Sequence, residues 1–144
     1  MTGGRRPTTT ILTILSADGT MKLFSVEEAN RVLADIIPSL FELRDLDLRV
    51  ERAREAARAA ADLSKFGGGM PGGTAYVKDL YAVGRIVIEL SELGIEIKDH
   101  SRGLIDFPSL RNDRIVLLCW EIGDGERISW WHEAEAGYAG RQPL

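Results

Sequence analysis

The stretch IVLLCWEIGDGERISWWHE, from Ile115 to Glu133, decides the fold. Two runs rich in β-branched and aromatic residues, Ile115–Ile122 and Glu126–Glu133, flank Gly123-Asp124-Gly125, a turn signal. This pattern predicts an antiparallel hairpin. A three-residue loop with Ile122 opposite Glu126 sets Trp120 against Ile128, Leu118 against Trp130, and Glu121 against Arg127 as an opposite-charge pair. A two-residue Asp-Gly turn would instead set Cys119 opposite Trp130. The first register is preferred, with Gly125 in the left-handed position. Val116, Leu118, Trp120, Ile122, Ile128 and Trp130 then share one apolar face, with His132 at its margin and Cys119 pointing away. Trp131 falls on the other face, open to a partner.

Upstream of this hairpin the apolar period is also alternating. Ile95–Lys98 reads as a short strand, and Leu104–Pro108 as a second extended piece ended by its proline. Arg111-Asn112-Asp113 is a turn. Before Gly94 the period becomes helical. Ser25 through Glu28 has the spacing of a capping box, so a first helix starts at Val26 and should kink or restart at Pro38. Leu40, Leu43, Leu46, Val50, Ala53, Ala57 and Ala60 then make one stripe, wide at first and narrowing to alanine. A second helix follows Thr74, with Val77, Leu80, Val83, Val87 and Leu90 on its buried side and Gly94 as its left-handed C-terminal residue. The glycine-rich link at 67–73 makes the two helices antiparallel neighbours. It matches a dinucleotide fingerprint in letters only, because a helix and not a strand precedes it, and it lacks the lysine of a phosphate-binding loop. The expected architecture is α+β: an antiparallel helical hairpin packed on a small antiparallel β-sheet, in a single domain over 21–144. Residues 1–20 read as an extension, disordered or adding a strand at Thr9–Leu15.

Composition bounds the function. The 144 residues are 44% apolar and 28% charged, with a net charge of −4 and a single cysteine. This is a globular balance, without cysteines for an internal disulfide or a multi-cysteine zinc site. Between Ile95 and Glu135 nine acids face five bases, so no basic stripe invites nucleic acid. No apolar run approaches the ~20 residues of a membrane span. Thr13 interrupts the short apolar patch near the start, which argues against a secretory signal and for a cytoplasmic protein. Apolar helix surface left uncovered by one chain would be covered by a second, so a homo-oligomer is expected.

Four stretches, LFSVEEAN at 23–30, IEIKDHSRGLIDFPSLR at 95–111, IVLLCWEIGDGE at 115–126 and WWHEAEAGYAGRQPL at 130–144, resemble the prokaryotic domain-of-unknown-function family numbered 2203. The resemblance covers Met21 to Leu144. It implies a helical-plus-sheet layout and brings no chemistry with it.

The candidate site therefore comes from the residues themselves. Asp106, between Ile105 and Phe107, is a carboxylate in an apolar segment, where it needs a partner; Arg102 and Arg141 are the available guanidiniums. His132 reads either as a hydrogen-bonded structural histidine or as a ligand for a divalent metal, with Asp106, Asp99 or Glu135 completing the set. Arg141, in a glycine-flanked end segment, is either an anion clamp for a small anionic ligand or half of an Arg–Asp tie. Cys119 reads as a packing residue. Two functions remain open: a self-associating binding protein with a ligand site around Asp106, His132, Arg141 and Arg102, or a small metal-dependent or acid–base enzyme using Asp106 and His132.

Overall fold

A computed structural model describes residues 21–63 and 73–144. The proposed strand at Thr9–Leu15, the extension that would contain it and the glycine link at 67–72 lie outside the described residues.

Helix α1 runs from Val26 to Leu63. Ser25 caps it as expected: its hydroxyl accepts from the Glu28 amide at 3.1 Å. Pro38 does not break it. Proline removes one amide donor, but Pro38 and Ala34, whose carbonyl it frees, are both on the exposed side of the helix. The predicted stripe holds along the helix. Leu40, Leu43, Leu46 and Val50 are buried, and Ala53, Ala57 and Ala60 are partly so.

Helix α2 spans Gly73–Glu92. Arg49 on α1 grips Asp79 with two hydrogen bonds of 3.0 and 2.9 Å, and farther along α1 Arg54 lies beside Tyr76. Rising numbers on α1 thus meet falling numbers on α2, so the helices are antiparallel. Core packing keeps Val83 and Leu90 of the predicted stripe inward and brings Ile86 in beside them. Tyr76, Asp79, Val83, Ile86 and Leu90 face inward, while Val77 and Leu80 are exposed. Gly94 ends the helix at φ +86°, with Ile95 N–H bonding the Leu90 carbonyl and Gly94 N–H the Ser91 carbonyl. Both bonds of a Schellman close are present, and its left-handed residue favours glycine.

Five strands follow: β1 Glu96–Asp99, β2 Leu104–Arg111, β3 Arg114–Trp120, β4 Trp130–Glu133 and β5 Gln142–Pro143. They form an antiparallel meander in chain order. Strand β2 continues through Pro108, where the sequence suggested a stop. The carbonyl of Pro108 faces away from β3 and accepts from Phe24 N–H at 2.7 Å, so the missing amide costs no bond to β3. One face of the sheet packs on the helices. Ile105, Phe107, Leu118 and Trp120 join Leu33, Leu40, Leu43, Ile86 and Leu90 in a single core, with Trp131 packed at its edge.

Candidate functional site

Strand alternation sorts the sheet residues into two faces. Ile105 and Phe107 point into the core, so Asp106 points out. Leu118 and Trp120 point in, so Leu117 and Cys119 point out. The predicted register for β4 is off by one residue. Cys119 lies opposite Trp130, Leu118 opposite Trp131 and Leu117 opposite His132. A one-residue slip exchanges the faces. His132 and Trp130 therefore leave the helix-facing side and join Cys119 outside, while Trp131 takes the core side.

The slip has a cause in the connection between β3 and β4. Residues 121–129 form a loop and not the ends of two strands. The Trp120 indole N–H donates to the Gly125 carbonyl at 3.0 Å, and the Asp124 carboxylate accepts from the Glu121 amide at 3.0 Å. The Ile128 amide donates to the Asn30 side chain of α1 at 2.8 Å. With their polar groups satisfied this way, these residues do not enter the ladder. Gly125 is left-handed, as expected, at φ +89°.

On the outer face Asp106, Cys119 and Trp130 form one rung, and Pro108, Leu117 and His132 form the next. His132 reaches diagonally to Asp106, with Nε2 3.1 and 3.2 Å from the two carboxylate oxygens. Its Nδ1 lies 2.8 Å from the Glu133 carbonyl oxygen. A carbonyl only accepts, so Nδ1 carries a proton. An ionised carboxylate also accepts, so the Nε2 contact needs a proton or a cation between the two groups. Burial pulls the His132 pKa down, but the bonds to Asp106 and to the Glu133 carbonyl outweigh it and raise the net value. Cys119 stands beside this pair, and one ligating atom from each of Asp106, Cys119 and His132 lies within 4.8 Å of the others. Burial, with the Asp106 charge next, pushes the thiol up to about 12.

All three are buried, at 1–2% exposure, although they face away from the helices. The segment after β4 closes over them. Ala134 to Tyr138 roof a cavity of about 280 Å³ whose floor is Asp106, Cys119 and His132 and whose wall includes Lys98. The roof is held by a separate cluster. Arg141 pairs with Asp124 and lies over the rings of Trp130 and Tyr138. Arg102 pairs with Glu121 at 2.6 Å and lies over Tyr138, whose hydroxyl donates to Glu121 at 2.7 Å.

The structure thus brings together two of the residues singled out from sequence, Asp106 and His132. It gives Asp106 an imidazole partner in place of the expected Arg102 or Arg141, whose charges meet Glu121 and Asp124. Asp99 accepts from the Ser101 hydroxyl and the Arg102 amide in the β1–β2 turn, outside the cluster. The Ser101 hydroxyl is the main cause that lowers the Asp99 pKa. Glu135 lies on the cavity roof. Cys119 is the member that sequence reasoning missed. The less favoured Asp-Gly register, with Cys119 opposite Trp130, carried the signal.

No curated protein and no solved structure matches this chain. A family model described as "Uncharacterized conserved protein (DUF2203)" matches residues 22–144, which takes in both helices, the whole sheet and every residue of the cavity floor. The chain belongs to the DUF2203 family.

Proposed function

We propose that this is a cytoplasmic, self-associating binding protein that holds a small anionic molecule in the cavity over the outer face of its sheet. The observation that carries the reading is the buried Asp106–His132 pair at the floor of that cavity. Taking two charges out of water costs several kcal/mol each unless they are well paired. Here the pair borders the cavity, whose lining also includes Lys98. A volume of about 280 Å³ suits a molecule at the small end of the usual ligand range.

The test is equilibrium binding of a panel of small carboxylates and phosphates, measured by calorimetry on protein as purified and after chelation. At least one should bind, and Ala134→Leu, which fills the roofed space, should weaken it tenfold or more. Binding by none of the panel in either form would refute the reading.

Self-association is supported by α2. Val77, Tyr81 and Ile88 are 63, 77 and 58% exposed and lie along one stripe with Gly84. Among the described residues, no atom beyond its own stretch of helix backbone stands within 4 Å of a side-chain carbon built at Gly84, which leaves room for close helix approach. Sedimentation should find a dimer that Tyr81→Glu dissociates; a monomer at high concentration would remove this part.

The second reading is an enzyme. One observation favours its metal-dependent form over its acid–base form. Both ring nitrogens of His132 are engaged, by Asp106 and by the Glu133 carbonyl, so neither is free to exchange a proton with a substrate.

A further inference from the structure

We propose that Asp106, Cys119 and His132 form a mononuclear site for a zinc-class divalent metal, with its fourth position open to the cavity. This deepens the cavity reading and rests on it, because the metal would form the floor that the anion meets. It also replaces Asp99 and Glu135, the acids that sequence pointed to, with a thiolate.

Four observations converge on the site. The donor set is one oxygen, one sulfur and one nitrogen from β2, β3 and β4 on one face of a hydrogen-bonded sheet. Thiolate with imidazole and carboxylate suits zinc far better than magnesium or calcium. Bond lengths of ~2.0–2.3 Å in a tetrahedral site put ligand atoms roughly 3.3–3.8 Å apart. The His132–Asp106 separation of 3.1 Å is already near that range, and the 4.8 Å bound on the cluster leaves Cys119 a short rotation to close. The Nδ1–H of His132 is anchored on the Glu133 carbonyl at 2.8 Å, which aims Nε2 at the cluster. A ligating histidine is usually held by such a bond from its other nitrogen. The fourth observation, independent of the three ligands, is Glu96. It lies opposite Asp106 across β1 and β2, and its Oε2 is buried without a hydrogen-bond partner, beside the face that would carry the cation.

The charges are compatible. A divalent ion with the Asp106 carboxylate and the Cys119 thiolate sums to zero, and neutral His132 completes the set. Lys98, the cation on the cavity wall, is held by Glu96 Oε1 at 2.5 Å. Three protein ligands and one open position is the arrangement of reactive zinc sites, in which the fourth place takes water or substrate.

The experiment is titration of chelated full-length protein with Co²⁺, read by absorption. One equivalent should bind and give a thiolate-to-cobalt charge-transfer band with intense tetrahedral visible bands. Cys119→Ser should abolish the charge-transfer band. His132→Ala should weaken binding more than ~100-fold, beyond the loss expected for a residue that only supports a ligand. Should His132→Ala fail to fold, Cys119→Ser carries the test alone, because it changes one atom. No tight Co²⁺ binding overturns the proposal, and so does binding whose spectrum Cys119→Ser leaves unchanged. The anion panel separates the two readings. Anion binding by chelated protein that takes no Co²⁺ would sink the metal site alone. Metal uptake with no anion bound would sink the cavity reading.

Discussion

His132→Leu in metal-free protein isolates what the buried pair does for the fold. Asp106 is 1% exposed, and its two carboxylate oxygens share one imidazole nitrogen at 3.1 and 3.2 Å. Removing the imidazole leaves a carboxylate without its opposite charge in a nearly dry site. The cost of breaking such a pair from one side is about 3–5 kcal/mol. For a domain of this length that is a fall in Tm of roughly 10–20 °C. Asp106→Leu alone should cost a similar amount, because it strands the imidazolium. The double variant should be far less damaged than the two losses together, since it buries neither charge. The coupling should therefore reach about 2–4 kcal/mol. Urea unfolding followed by far-UV circular dichroism, with chelator present, measures all four proteins. Losses that add to within ~0.5 kcal/mol would refute the pairing argument, because additivity is what independent sites show.

Three further outcomes follow from the same geometry. The raised His132 pKa means the folded state favours the imidazolium, so its contribution is complete below the ordinary value near 6.5 and fades as pH rises through the higher folded value; chelated wild type should lose urea stability across that window while the double variant Asp106→Leu/His132→Leu stays flat. Cys119, buried and held up to about 12, should resist iodoacetamide at pH 8 in chelated native protein and react at once in urea; fast native alkylation would show the roof is open. Arg141→Ala removes the tie to Asp124 and the stacking on Trp130 that hold the roof, at about 2 kcal/mol, and should speed Cys119 alkylation; an unchanged rate would place the roof's hold elsewhere.

Much of the fold was legible because its signals are local. The Ser25 cap, the leucine-to-alanine stripe of α1 and the Gly94 close each depend on residues within a turn or two of one another. The same holds for the anomaly of Asp106, a carboxylate between two core residues, whose need for a buried partner is plain from its neighbours. The errors lie where a distant element decides. On α2, Ile86 packs into the core against α1 and sheet residues far away in the sequence, while Val77 and Leu80 of the expected stripe stay outside. Asn30, from the first turns of α1, holds the Ile128 amide and helps keep 121–129 out of the ladder.

The amino-acid order alone determined the two helices, the cores of the first four strands and that one sheet face is greasy, since periodicity and capping act over a few residues; it did not give the loop at 121–129, the run of β2 past Pro108 or β5. Only the tertiary structure decided which side of β4 meets the core. A strand's two faces differ by a single-residue shift, and bonds from α1 and within the 121–129 loop make that choice. The shift is what brings Cys119 and His132 to the same side, next to Asp106, under a roof made by the end of the chain.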